Sequence, residues 1–263
     1  MGERGVGSLI NESPSALEVE QPDLDSRRQG TSLGVKRSDD VNVHPHDLYI
    51  SMLAQHLPRW ERADWLDIGC GWHMDWPWRA KQEETLLSTA NVIGIDPDWQ
   101  AIRRHRSITK RIVGHVEALP FDGGSFDLVT ANVVVEHLKY PALAFAEIFR
   151  VMRPGGVFVF RTPSARSFAV AISRRLPQRL KIWLATSVIE KRKEEDVYPA
   201  HYRANTPEVI GEICKIAGFR RVDVTITKPR GVLSRFPFLV GAERLAISAL
   251  GFKDGNLIVE AEK

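Results

Sequence analysis

The sequence predicts an α/β domain, a mostly parallel seven-stranded sheet with helices on both faces and a helical insertion late in the chain. Three observations carry this. Short apolar runs alternate with stretches of helical spacing from residue 46 onward, and strands spaced by helices imply a parallel sheet. Helix boundary signals sit where the alternation needs them: Thr206-Pro207-Glu208 offers an N-cap followed by proline, and Gly218 follows the last periodic residue. The chain has 263 residues, 43% apolar and 26% charged, enough for a sizeable core without disulfide staples.

The elements follow in order. Residues 1–42 mix Gly, Ser, Pro and both charge signs with few large apolar residues. Such a segment buries too little surface to offset its ordering entropy, so a disordered tail is expected. "HDLYISMLAQHL" from residue 46 has helical spacing. The strands are "ADWLDIG", "NVIGID", "RIVG", "SFDLVTAN", "GGVFVFRTP", "RRVDVTIT" and "NLIVEAE". The helices between them are "DWQAIRRHRS", "PALAFAEIFRVM" and "TPEVIGEICKIAGF". Residues 43–263 are thus one domain, with a helical cap inserted at about 164–200 and no internal repeat.

Composition excludes several classes. Two cysteines, Cys70 and Cys214, lie far apart, which is no disulfide framework and suits a reducing, cytoplasmic compartment. No run approaches the roughly 18–20 apolar residues of a membrane span, and the N-terminus lacks the pattern of a secretory signal. A net charge of +3 is too small to argue for nucleic acid as a partner.

The chemistry begins at "WLDIGCG". Gly69-Cys70-Gly71 resembles the opening of a dinucleotide-binding turn, but the third glycine is missing, with Met74 in its place. Asp67 ends the strand just before the turn. A pyrophosphate on a helix N-terminus wants positive potential, and a carboxylate there works against it. Asp96 closes the second strand, where an acid accepts hydrogen bonds from ribose hydroxyls. The inferred ligand carries a ribose and, nearer the first strand, positive charge. S-adenosylmethionine (SAM) has a ribose, an ammonium and a sulfonium; a nicotinamide dinucleotide fits poorly.

"LDIGCG", "VIGIDPD", "VEALPFDGGSFDLVTANVVVEHL" and "MRPGGVFVFRTP", in this order, resemble the motifs of class I SAM-dependent methyltransferases, of the small-molecule and quinone-type subgroup. The resemblance runs from about Trp65 to the end and implies their Rossmann-like sheet and SAM as methyl donor. It places Asp67, Gly69 and Gly71, with Cys70 between them, around the methionine part. Asp96 would bind the ribose and Pro97 lie along the adenine. The segment with Val116 and Glu117 would flank the adenine. His115 stands there where the family has an acid, and Glu117 is positioned to take its role. Asn132 would line the reactive end of the cofactor. His73, in place of a glycine, departs from the pattern.

An in-line methyl transfer to a hydroxyl gains from a general base. The candidates are His137, after the fourth strand, and His201 and Tyr202, before the "TPE" helix. Glu136 and His137 are too few for a metal site, and none is expected. Cys70 is expected to be a small buried side chain rather than a nucleophile. Trp72, Trp76 and Trp78 offer either an aromatic wall over the sulfonium or plain loop packing, the simpler account. Residues 166–193 hold eight Lys or Arg and one Glu, a net of +7, with apolar residues at helical spacing. This basic amphipathic stretch suits a cap over the acceptor or peripheral contact with a membrane. The expected function is methyl transfer to a small or lipid-linked acceptor on oxygen. The alternative is a scaffold protein that keeps the fold without catalysis.

Overall fold

All seven expected strands form, and an eighth joins them. The computed structural model describes residues 30–38, 43–72, 85–105, 107–177, 179, 198–229 and 237–263. The strands are β1 (Ser32–Arg37), β2 (Ala63–Ile68), β3 (Ala90–Asp96), β4 (Lys110–Val113), β5 (Phe126–Asn132), β6 (Met152–Pro163), β7 (Arg221–Ile226) and β8 (Asn256–Glu262). They make one sheet in the order β1-β7-β8-β6-β5-β2-β3-β4. Only β8 runs against its neighbours, β6 and β7; every other pairing is parallel.

The helices are α1 (Pro45–His56), α2 (Trp99–Ile102), α3 (Pro141–Val151), α4 (Phe168–Arg175), α5 (Pro207–Ala217) and α6 (Pro237–Ala249). Strand side chains alternate between faces, and the core divides accordingly. Leu66, Val129, Phe158, Phe160 and Val259 pack with Phe145, Ile148 and Val151 of α3 and Ile210 and Cys214 of α5. Their sequence neighbours Trp65, Leu128, Val157, Val159 and Ile258 pack with Tyr49, Met52 and Leu53 of α1 on the other face. Phe145 meets Phe158 and Phe160 edge-on at 5.5 and 5.6 Å. Truncating such a ring to alanine costs about 3–5 kcal/mol.

α5 has the boundaries its sequence signals. The Thr206 side chain accepts from the Val209 N–H, and Gly218 takes the left-handed conformation at φ 105°. α2 is shorter than its periodic stretch. The Arg111 guanidinium donates to the carbonyls of Ile102 and His105, and the His105 ring accepts from the Ser107 and Ile108 N–H groups. Those bonds satisfy the chain in a turn instead of a further helical turn.

The tail expectation is corrected for residues 31–38. β1 pairs in parallel with β7 from Ser32↔Arg221 to Arg37↔Ile226, and Thr31 Oγ1 donates to the Phe219 carbonyl at 2.6 Å. Arg37 reaches Asp254 at 2.9 Å. Every residue of β1 is exposed, so backbone pairing holds it, and composition carries no trace of that. Gly211 of α5 makes room for it: a Cβ there would lie 2.8 Å from Leu33. The rest of the expected tail, 1–29 and 39–42, lies outside the described residues, as do His73, Trp76 and Trp78 and, of the insertion, residues 178 and 180–197. Among the described residues no helix is long and apolar enough to cross a membrane.

Candidate active site

Strand order reverses between β2 and β5. From β2 the chain builds outward through β3 to β4, and from β5 in the other direction to β6. Ligands of open α/β sheets bind beyond the strand C-termini at such a point. Asp67 and Thr130 are register partners there. The Thr130 hydroxyl donates to Asp67 Oδ1 at 2.6 Å and accepts from the Trp65 indole at 2.7 Å. Asp67 is only 3% exposed. Burial pushes its carboxyl up to about 7, against the Thr130 hydrogen bond, and the nearby Asp96 charge adds to the rise. Tyr49 of α1 is buried near it, and its phenol is raised by burial first and by the Asp67 charge second.

The glycine turn follows at once. Gly69 and Gly71 have φ of 66° and 56°, left-handed values that favour glycine. A Cβ on Gly69 would run into Val134, whereas one on Gly71 would meet nothing within 4 Å. Among the described residues, the space over Gly71 is therefore open. Asp96 Oδ2 accepts from the Gly71 N–H at 2.9 Å, and Oδ1 accepts from the Asp98 N–H at 2.8 Å. Burial raises the Asp96 carboxyl, and these two bonds pull the other way. One buried acid and one half-buried acid thus flank this stretch of backbone. Cys70 meets the turn through its main chain alone. Its thiol packs against Gly94, Ile102 and Ile108, and burial raises it.

The remaining residues expected on the cofactor side line the next loops. Pro97 is exposed beside Asp96. The Gly114 N–H donates to the Asp96 carbonyl at 3.1 Å, which brings the 114–117 segment beside that acid. His115 is exposed, Glu117 half-buried and Val116 turned into the core. Arg150 of α3 donates to the Leu119 and Phe121 carbonyls, and Glu147 accepts from the Leu119 N–H, so this loop is tied to a helix. Trp72 is 46% exposed.

The other half of the cleft is built after β5. Asn132 Oδ1 accepts from the Arg161 Nε at 2.8 Å. Val133 follows at φ 61°, a strained conformation for a β-branched residue and a frequent mark of functional loops. Glu136 is 2% exposed and accepts from Thr162 Oγ1 at 2.9 Å; burial raises its carboxyl, with His137 opposing. Asn205 donates to the same Thr162 hydroxyl at 2.6 Å. The Glu136 carbonyl accepts from the N–H groups of both His201 (2.7 Å) and Tyr202 (3.0 Å). Tyr202, at φ 51°, lies under the Arg174 guanidinium at 5.1 Å. Burial first, then Glu136, raises its phenol.

These contacts bring His137, His201 and Tyr202 to one place. His137 Nδ1 lies 2.8 Å from the Pro199 carbonyl, and a carbonyl only accepts, so Nδ1 carries the proton and Nε2 is the ring's acceptor. His201 is exposed and joins through its backbone. Sequence reasoning missed Thr130, Arg161, Asn205 and Tyr198. The Tyr198 hydroxyl donates to Asp98 Oδ2 at 2.6 Å, and its ring meets His137 edge-on at 6.2 Å. Residues 198–202 are therefore tied at one end to the loop after β3 and at the other to the loop after β5, the two strands that flank β2 and its glycine turn.

A family model described as a methyltransferase domain matches residues 66–160, from β2 to β6. Residues 66–160 carry a methyltransferase domain. Malonyl-[acyl-carrier protein] O-methyltransferase of Erwinia billingiae is 36% identical over 117 residues, 44% of this chain and 45% of that protein. Demethylmenaquinone methyltransferase of Lactococcus lactis is 27% identical over 124 residues, 44% of this chain and 48% of that protein. The chain thus spans under half the length of these curated relatives. The fold is that of a SAM-dependent methyltransferase from Mesorhizobium loti, with a TM-score of 0.55 and 18% identity over 85% of this chain and 100% of that one. Within this methyltransferase domain fall Asp67, the glycine turn, Asp96, Asn132, Glu136 and His137. Tyr198, His201, Tyr202 and β1 lie outside the matched span.

Proposed function

We propose that this protein transfers the methyl group of SAM to oxygen on a small or lipid-linked acceptor. The observation that carries the reading is the pair of acids, Asp67 buried and Asp96 half-buried, on either side of the Gly71 backbone, which is open among the described residues. A buried carboxylate beside an uncharged glycine turn suits a cation, and the second acid suits the hydroxyls of a ribose. SAM supplies a methyl group bonded to a sulfonium, which makes that carbon electrophilic.

The residues divide the work. Asp67 faces the positive end of the donor, and Thr130 fixes the carboxylate's orientation. Asp96 takes the ribose and holds the Gly71 turn in place. Pro97, Val116 and Glu117 border the base. Asn132, oriented by Arg161, stands at the reacting end. His137 removes the acceptor's proton at Nε2 while the Pro199 carbonyl holds the other ring nitrogen protonated, the arrangement that makes a neutral imidazole a base. Tyr202 and His201 frame the acceptor's entry. The choice of oxygen rests on His137 and on a relative named as an O-methyltransferase. A lipid-linked acceptor is supported by a relative named for demethylmenaquinone and by the +7 stretch at 166–193, a candidate for a cap and for peripheral membrane contact. The reducing compartment inferred from the two cysteines points to the cytoplasmic side.

Isothermal titration of the full chain with SAM and S-adenosylhomocysteine tests the cofactor half. Micromolar binding of both is expected, with Asp96→Ala weakened at least about a hundredfold. Wild-type affinity in that variant, or no binding by the folded wild type, would remove the reading and leave a scaffold. Transfer of labelled methyl groups to extracted lipids and small hydroxylated acceptors then tests the acceptor.

A further inference from the structure

α6 is arranged inside out. Its inward positions include Glu243, 5% exposed, and Ile247, 8% exposed. Its outward positions carry Phe238 and Leu245, and the turn after it carries Leu250; these are 78%, 73% and 67% exposed. α5 has the ordinary arrangement, with Ile210, Cys214 and Ala217 buried and Glu208, Glu212 and Lys215 exposed. A helix facing water presents its polar side to it, and a contiguous apolar outward face marks an interaction surface.

The charges around this face have one sign. On the described residues of α4, α6 and the 250–255 turn, the exposed charges are Arg174, Arg175, Arg244 and Lys253. The two acids of these elements, Glu243 and Asp254, are buried, and Asp254 is paired with Arg37. α4 begins beside the turn: Phe168 meets Phe252 edge-on at 5.4 Å, and Ser164 donates to Asp254. One helical turn beyond Phe168, Ile172 is 37% exposed.

Register fixes where this face lies. β8 starts opposite the C-terminal ends of β6 and β7, at Asn256↔Pro163 and Leu257↔Ile226. The 250–255 turn and the start of α4 therefore share the rim of the sheet that carries the glycine turn and Asn132. We propose that α6, its following turn and α4 dock the protein onto an anionic lipid bilayer, with the methyl-transfer cleft on the same rim. A second copy of the chain is the poorer occupant, because a two-fold interface would set these four cations against their own images. An anionic headgroup layer accepts both the cations and the leucines, as interfacial helices require. That the bilayer also delivers the acceptor rests on the function proposed above; the docking does not.

The test is co-sedimentation of the full chain with phosphatidylcholine vesicles with and without phosphatidylglycerol. Binding is expected to the anionic vesicles alone and to weaken with salt. Leu245→Asp with Leu250→Asp changes two exposed side chains, and partitioning should fall by about tenfold or more, with circular dichroism and SAM titration unchanged. Wild type that fails to co-sediment, or a double variant that partitions like wild type, overturns the proposal. So does light scattering that shows a wild-type dimer which the double variant splits. Loss of SAM binding with vesicle binding intact would instead sink the methyl-transfer reading and leave the docking standing.

Discussion

The two halves of the cleft are assembled on different scales. The cofactor half is local: Asp67, Gly69 and Gly71 sit within five residues, and Asp96 joins them through the neighbouring strand and two backbone hydrogen bonds. The acceptor half is gathered from afar. His137 is held by Pro199, and Tyr198 reaches Asp98 a hundred residues away. A cofactor common to many enzymes calls for a fixed cradle on strand ends. The acceptor side hangs on a strap gathered from distant segments, so in the proposed reading the first half carries the chemistry and the second the specificity.

Changing the proposed base should produce the largest effect and divide the halves most cleanly. His137→Gln is expected to lower kcat by about 10²–10⁴-fold, the usual contribution of a positioned base, with SAM affinity unchanged. Single-turnover methyl transfer beside calorimetry checks it. A shared loss of affinity would show that the two halves are one unit.

Asp96→Ala should do the reverse. It removes the acceptor for the Gly71 and Asp98 N–H groups as well as the ribose contact, so a rise in the SAM Kd of about a hundredfold is expected, the scale of two lost charge-assisted hydrogen bonds. With saturating SAM, kcat should stay within a few-fold of wild type. A large fall in kcat there would mean that the glycine turn also positions the acceptor.

Asp67 gives the cofactor half a pH dependence. With its carboxyl raised to about 7, the ligand-free folded protein keeps a proton between about pH 4 and 7 that the unfolded chain has lost. Its contribution therefore makes stability fall as pH rises through that window and stay level above it. A cationic ligand favours the ionised form, so SAM affinity should rise by about tenfold from pH 6 to 8. Asp67→Asn should flatten that profile. It should also raise the ligand-free melting point at pH 8, by at most about 4 kcal/mol of stability, and leave it unchanged near pH 4. Parallel slopes in the two proteins would assign the titration to another group.

The same contrast of scale decides what the sequence discloses. Six strands were legible because buried strands must be apolar and bounded by turns, β4 because Ile112 and Val113 mark it although it is an exposed edge, and Asp67, the glycines and Asp96 because their spacing along the chain is short and chemically required. β1 was not, because an exposed edge strand is specified by main-chain hydrogen bonds to β7 and by the room at Gly211, neither of which biases its own composition. Thr130 looked like one more strand residue; only its register with Asp67 gives it a role. Tyr198 lies just after a run of charges, and nothing local distinguishes it. Glu136 and His137 drew notice together, yet Glu136 is buried under Thr162 and Asn205 while His137 alone keeps an acceptor nitrogen.

The smallest expected effect tests the strap itself. Tyr198→Phe keeps the ring against His137 and removes only the hydrogen bond to Asp98, which also helps hold the Asp98 carboxyl below its usual range. The hydroxyl bridges the two halves, so its loss should loosen the strap at the β3 end alone. The KM for the acceptor should rise a few-fold, as for one hydrogen bond of about 1 kcal/mol, with kcat within twofold and SAM affinity nearly unchanged. Asp98→Asn keeps the α2 cap at Oδ1 but puts an amide N–H in place of Oδ2, so the bond to Tyr198 survives only by reversing its direction, and the variant should fall between wild type and Tyr198→Phe. If both variants matched wild type in acceptor KM, the strap would be closed by its ties to Glu136 and His137 alone, and specificity would lie entirely on the β5 side.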